Sequence, residues 1–310
     1  MQNGLKARSE YSKEKHKSPG GVRRPVINRS ETQKMKPISI KYMRWRIVST
    51  MVLLMISAAA CGQCKYPNTA FLPGESINYD LYFHWNFLWV KVGSTQFTIK
   101  TSSYNAQQAL RTDILFKSNK KCEAIFPMRD TLISYTTPDL EPLYFRKGAF
   151  EGKRYTVDEV WYTYSDGQTH MRQRFRNTDG VWSNTQSVSD DCVNDMLNIL
   201  LLARSKDYST MKAGQRITYK MVSGRRLSSQ VLIYKGKENF KANDGHTYRC
   251  LVFSLLDDKE KKEKELLRFY ITDDANHLPV RIDFNLKFGT AKAYFLNGTG
   301  VRNPMTARVK

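Results

Sequence analysis

Arg172, Arg174 and Arg176 alternate with Met171, Gln173 and Phe175. On a strand the three guanidinium groups share one face and suit phosphate or carboxylate groups. The same pattern also makes a solvated face that protects a sheet edge. A second candidate is the aromatic run Tyr79, Tyr82, Phe83, Trp85, Phe87 and Trp89. It can pack a core, or Tyr79, Phe83, Trp85 and Trp89 can line a cleft for an apolar ligand. Catalytic groups are sparse. None of His84, His170, His246 and His277 has a second histidine at i+4, so no zinc-protease motif exists. Asp158 and Glu159 point to opposite faces of a strand. No G-x-S-x-G elbow, P-loop or G-x-G-x-x-G is present. Asp273-Asp274-Ala275-Asn276-His277 lacks the sixth-position Gly and distal Glu of an EF-hand and reads as a turn. No catalytic, metal-binding or cofactor-binding set emerges, and no cofactor is expected.

The elements that would hold these groups are strands. Between 77 and 87 the odd positions are Ile77, Tyr79, Leu81, Phe83, Trp85 and Phe87, with Asn78, Asp80, His84 and Asn86 among the even ones. That period of two marks a half-buried strand. Further strands are expected over 89–100, 111–117, 131–136, 143–150, 155–164, 170–176, 216–222, 230–237, 248–256, 266–272, 280–288 and 290–296. Ser165-Asp166-Gly167-Gln168 predicts a hairpin turn, because Asp-Gly accepts positive φ. The charged run 257–265 reads as a solvated hairpin extension. One stretch differs. Val193, Met196, Leu197, Leu200 and Leu201 follow helical spacing after Asp190 and Asp191, which can cap a helix N-terminus. A helix packed on the sheet is expected over 191–204. The fold class is mainly β, with long curved antiparallel sheets forming a half-barrel or a two-part β domain.

Arg44-Trp45-Arg46, an apolar run over 47–60 and small residues before Cys61 read as an export signal. The run is 14 residues long, short of the ~20 a spanning helix needs. Residues 1–34 lack the apolar content to fold. Either the true start is Met35 or Met43, or the segment is a disordered basic arm. The domain reading is therefore extension 1–34, signal 35–62 and a single β domain over 63–310, with two β halves around the helix as the variant. Ala58-Ala59-Ala60-Cys61 resembles a lipobox, which makes Cys61 a candidate lipid attachment. Ala60-Cys61-Gly62 before Gln63 equally suits simple cleavage. Residues 1–62 hold 13 Lys and Arg against 3 acids, leaving 37 against 26 in the rest of the chain. Much of the net charge of +21 thus lies outside the mature chain, and no nucleic-acid role is expected. In an exported protein Cys64, Cys122, Cys192 and Cys250 are disulfide candidates with three possible connectivities. Cys122 or Cys250 can equally be a small buried apolar residue.

Phe71-Leu72-Pro73-Gly74-Glu75, Tyr79 and Trp89-Val90-Lys91-Val92-Gly93 resemble the opening of the exported bacterial family catalogued as domain of unknown function 3108. The likeness continues through Asp130-Thr131-Leu132-Ile133-Ser134-Tyr135, Leu140-Glu141-Pro142, Ala203-Arg204 and Thr272-Asp273 with Leu278-Pro279-Val280. The Gly-Glu start, Trp-rich strand pair and signal look most like members from Bacteroides. The resemblance implies a periplasmic or envelope β protein and supplies no catalytic residues. The expected function is non-catalytic binding of an apolar or amphipathic ligand or an envelope partner. The alternatives are a glycan-active enzyme with unidentified carboxylates and a structural scaffold. Membrane contact is expected only through the signal or a lipid on Cys61.

Overall fold

The computed structural model describes residues 64–85, 88–125, 127–257, 264–286 and 289–309. The signal, the basic extension and Cys61 lie outside the described residues.

Alternating sequence becomes antiparallel meander. The first half runs β1 (Ser76–Trp85), β2 (Leu88–Tyr104), β3 (Gln107–Ser118), a short helix α1 (Lys120–Ile125), β4 (Met128–Thr136), β5 (Pro142–Glu151), β6 (Arg154–Ser165), β7 (Gln168–Arg176) and β8 (Trp182–Ser189). The second half runs β9 (Val193–Asn194), helix α2 (Met196–Ser205), β10 (Arg216–Ser223), β11 (Arg226–Lys241), β12 (Thr247–Asp257), β13 (Lys264–Thr272), β14 (Pro279–Leu286) and β15 (Gly289–Thr299). A two-residue strand β16 (Arg308–Val309) pairs with β12.

The two meanders fuse where the chain's first and last long strands meet. β1 lies between β2 and β15, in register from Ser76 opposite Thr299 to Phe83 opposite Ala291. The sheet order from β8 down to β1, then β15 down to β9, makes one nearly closed, barrel-like sheet. Its two ends, β8 and β9, are consecutive in the chain. The seam between them is therefore crossed by the short link 190–192 rather than by a hydrogen-bonded ladder. β9 pairs with β10 in parallel, which turns the chain inward to α2.

The expected hairpin turn forms as read. Asp166 and Gly167 adopt φ of 53° and 73°, the pair of positive values that a tight hairpin turn needs. The helix differs from expectation. It starts at Met196, because Val193 and Asn194 pair with Lys220 and Met221 as a strand. Its cap is Asp195, not Asp190 or Asp191, and accepts from the Leu197 and Asn198 amides at 2.9 Å each. β8, β9, β16 and α1 were not expected. β8 is a polar edge strand of Ser, Asn, Thr and Gln with weak alternation, and α1 is a single short helix in the β3–β4 turn.

α2 is not a lid on one face but part of the interior. Leu197, Leu201 and Leu202 are buried. Leu201 and Leu202 join the main core with Ile77, Phe97, Ile99, Val280 and Phe295. Leu197 joins a second cluster with Phe145, Val160, Met171 and Val222. A third cluster around Leu232, Leu251 and Phe253 is covered by Tyr208 and Met211 from the segment after α2.

Cys64 and Cys192 are bridged, and their Cα atoms lie 5.4 Å apart. Of the four candidates only Cys64 and Cys192 pair; Cys122 and Cys250 are free thiols, and Cys250 takes the other reading, a small buried residue. Cys250 is buried, and burial pushes its thiol up to about 12. The bridge ties the segment before β1 to the seam link, across 128 residues of chain. In the chain-entropy description such a loop is worth about 3–5 kcal/mol. Urea unfolding of the Cys192→Ser variant should show that loss against the parent, with Cys122→Ser costing under ~1 kcal/mol. Equal effects of the two substitutions would contradict the assigned role of the bridge.

Candidate functional site

The four aromatic candidates do not line one cleft. Tyr79 is a core residue whose hydroxyl donates to the Pro279 carbonyl at 2.9 Å. Burial raises its phenol pKa well above the ordinary range. Phe83 shares that face and packs beside Gly289. Trp89 lies opposite His84 in the β1–β2 ladder, so it projects from the other face. It is exposed, packs against His84 with the rings tilted by 32° and centroids 5.0 Å apart, and its ring centre lies 4.2 Å from Lys292 Nζ. The Trp85 side chain lies outside the described residues. The register shift after Leu81 places Gly93 and Phe97 on the face of Leu81 and Ile77, so the odd-numbered residues of β2 change face along the strand, which was not legible in the alternation.

Arg172, Arg174 and Arg176 do share a face, and aromatic rings meet them. Arg172 stacks 3.9 Å from the Trp161 ring centre and Arg174 3.8 Å from that of Trp182. Arg176 packs on Tyr155 and donates to its carbonyl at 2.9 Å. The ring faces hold the guanidinium planes on one side. Met171 and Gln173 on the reverse face are buried, as expected from the alternation.

A cleft of about 250 Å³ opens elsewhere. Tyr248 of β12, Leu278 before β14 and Phe295 of β15 form its floor, and all three belong to the main core. Met305, half-buried, forms one wall. The rim is polar: Asp244, Asn297 and Arg308. Tyr248 donates to Asp244 Oδ2 at 2.6 Å, and burial together with that bond raises the Tyr248 pKa. His246 Nδ1 lies 3.1 Å from the same carboxylate oxygen, and Arg308 contacts His246 Nε2. With Arg308 as donor there, His246 presents Nδ1–H to Asp244. The site thus offers an apolar floor beside a fixed chain of donors and acceptors. These residues come from the β11–β12 turn, three strands or their approaches and the chain's C-terminal end, and no local motif announced them.

Both ends of α2 are polar and buried. At its start, Asp195 accepts from Ser134 Oγ at 2.9 Å in addition to the two amides. Desolvation still lifts its carboxyl to about 6. Asn198 donates to the carbonyl of Leu140 at 2.8 Å, holding a buried residue at φ 61°. At its end, the buried Arg204 meets both carboxylate oxygens of Glu75, one of them at 2.9 Å. Arg204 Nε donates to the Asn276 carbonyl at 3.2 Å, and its guanidinium lies 5.2 Å from the Phe71 ring centre. The Arg204 carbonyl accepts from His277 Nδ1 at 2.7 Å. Desolvation lowers the His277 pKa, in keeping with a neutral ring.

Two measurements follow from these anchors. Arg204→Met leaves the Glu75 carboxylate buried without its partner and should cost about 3–5 kcal/mol. The double variant Glu75→Leu/Arg204→Met should recover much of that loss in urea unfolding. A double variant that is additively worse would sink the pairing argument. For Asp195, the folded state binds its proton more tightly than the unfolded chain does. Its contribution to stability therefore falls as pH rises from about 4 through about 6. Asp195→Asn keeps a capping oxygen and removes that titration. Its melting temperature relative to the parent should be higher at pH 7 than at pH 4; a constant offset would refute the assignment. Asp130, raised to about 6 mainly by desolvation, has the same sign and stays common to both proteins.

A family model described as a protein of unknown function, DUF3108, matches residues 78–296. No curated protein matches the chain. Among solved structures, the chain is similar to the crystal structure of a β-barrel-like protein of domain of unknown function DUF1849 from Brucella abortus. That pair shares 10% identity over 76% of this chain and 100% of the other, with a TM-score of 0.49. With the family model covering more than two thirds of its length, the chain described above belongs to the family of unknown function DUF3108.

Proposed function

We propose that this protein is an exported cell-envelope protein that binds an apolar or amphipathic ligand without chemical conversion. The observation that carries this reading is the cleft whose floor is core side chains and whose rim ends in Arg308. An acyl or similar apolar group fits against Leu278, Phe295 and Met305, and an anionic head group fits the guanidinium. At about 250 Å³ the cleft falls below the ~300–1,000 Å³ of most small-molecule sites. It suits one part of a ligand, with the remainder outside.

Export is supported by the signal-like segment before Cys61 and by the Cys64–Cys192 bridge, since disulfides persist in oxidising compartments. Cys61 then either leaves with the signal or carries a lipid. Among the described residues no cluster of three or more His, Cys, Asp or Glu is placed to hold a metal ion. No helix of the described residues is long and apolar enough to cross a membrane.

Expression in a bacterium followed by fractionation and native mass spectrometry tests the reading. The protein should appear in the periplasmic or membrane fraction and carry a lipid-sized adduct or bind a fluorescent long-chain fatty acid. Arg308→Ala should weaken binding of the fatty acid about tenfold through loss of a charge-assisted contact. Met305→Trp should block binding by filling the cleft. A cytosolic protein, or one that ignores the probe and carries no adduct, would defeat the proposal.

A further inference from the structure

Cross-strand register lines up three rows of side chains on the outer face of β3 to β8. The first runs Gln186, Arg172, Trp161, Tyr144, Tyr135 and Arg111. The second carries Asn184, Arg174, Glu159, Arg146 and Asp113, and the third begins with Trp182 and Arg176. The reverse of the same strands is core, with Phe145, Val160 and Met171 buried.

The rows hold five arginines against two acids, and both acids are engaged. Arg111 pairs with Asp113 at 2.8 Å. Glu159 accepts from the Tyr144 hydroxyl at 2.8 Å and faces Arg146 at 3.9 Å. The charge left uncompensated is the column of Arg172, Arg174 and Arg176 on β7. Within the β7–β8 hairpin, residues 168–189, Asp179 in the turn is the one acid against those three cations. Asp166 and Asp190 flank the hairpin's other end.

The column is preorganised. Trp161 and Trp182 hold the guanidinium groups of Arg172 and Arg174 at 3.9 and 3.8 Å from their ring centres. Ring contact consumes no N–H group. Neither guanidinium has a hydrogen bond or an ion pair among the described residues, so its donors are uncommitted. Directly opposite them on β8, Gln186 and Asn184 are exposed amides, also without a partner among the described residues. Each offers a donor and an acceptor. The exposed apolar groups of the hairpin, Val181 and Val188, stand near the two ends of β8.

A protein partner brings an apolar interface core, and the centre of this face offers none. Cations about 7 Å apart along a strand, beside neutral amides, complement an extended polyanion that also carries hydroxyl groups. We propose that the outer face of β7 and β8 binds an acidic polysaccharide. Its carboxylates meet Arg172 and Arg174, and its hydroxyls meet Gln186 and Asn184. The site shares no residue with the cleft, so the inference is independent of the ligand reading.

Calorimetric titration of the exported protein with polygalacturonate oligomers, against neutral dextran and poly-glutamate, tests the proposal. The parent should bind polygalacturonate in preference to both, and added salt should weaken that binding. Arg172→Gln/Arg174→Gln should weaken it about tenfold or more, with unchanged melting and unchanged fatty-acid binding. Arg172→Lys/Arg174→Lys should lose most of it too, because Lys keeps the charge without the planar, ring-held fork. Asn184→Ala/Gln186→Ala should also weaken it, whereas Lys235→Gln/Lys241→Gln on β11, which removes the same charge elsewhere, should not. A parent that ignores polygalacturonate, full binding by the lysine or alanine pair, or equal loss in the β11 variant would overturn the proposal. So would equal binding of poly-glutamate, which would assign the face to an acidic peptide.

Discussion

The buried pair of Arg204 and Glu75 is the constraint around which this fold is organised. A guanidinium at 1% exposure is tolerable only when its donors are answered. Here Glu75 takes two contacts, the Asn276 carbonyl takes a third and the Phe71 ring covers the plane. Each partner belongs to a different part of the chain. Glu75 immediately precedes β1, Asn276 lies in the turn before β14, and Arg204 ends the interior helix. One axial placement of α2 satisfies all three. That placement locates the helix within the sheet and secures the approach to β1, the strand through which the two meanders join.

The remaining anchors extend the same logic. Asp195 and Asn198 fasten the other end of α2 to β4 and to the strained turn at Leu140. Asn276 also binds the Asn303 amide and carbonyl, which draws the C-terminal segment onto the β13–β14 turn. The seam between β8 and β9 lacks a ladder, so local contacts replace it. Cys192 is bridged to Cys64, Thr169 donates to the Asp191 carbonyl at 3.1 Å, and Lys220 pairs with Asp191 at 3.2 Å. An open strand edge invites pairing with other chains. β8 answers this with a polar run of Ser, Asn, Thr and Gln. One end of the molecule is consequently dense with cross-links, while Leu88, Val181 and Leu286 are exposed near strand ends at the other.

The strand pattern was legible because a half-buried strand repeats every two residues and the turns carry Asp-Gly or similar signals. Thirteen expected strands correspond to β1 to β7 and β10 to β15, with ends shifted by a few residues. β8 escaped because a polar edge strand has little alternation to show. The first turn of the expected helix was misread because Val193 fits helical spacing as well as it fits β9. Its partner, Lys220, is far along the chain. The same distance hid the cleft: Tyr248, Leu278, Phe295, Met305 and Arg308 are ordinary core and surface types until the sheet curls and brings them together.

The amino-acid sequence alone determined the fold class, the approximate strands, the face shared by the three arginines and the membership of the family of unknown function DUF3108. All are local or collinear properties, set by side-chain alternation or by short motifs in order. Tertiary structure decided which cysteines pair, how α2 is capped, that Trp89 faces away from Tyr79, and that Arg204 finds Glu75 across 129 residues. Those outcomes depend on strand register and on the desolvation of groups distant in sequence. Register is a property of pairs of strands, and burial is a property of the whole sheet, so neither is written in any single segment.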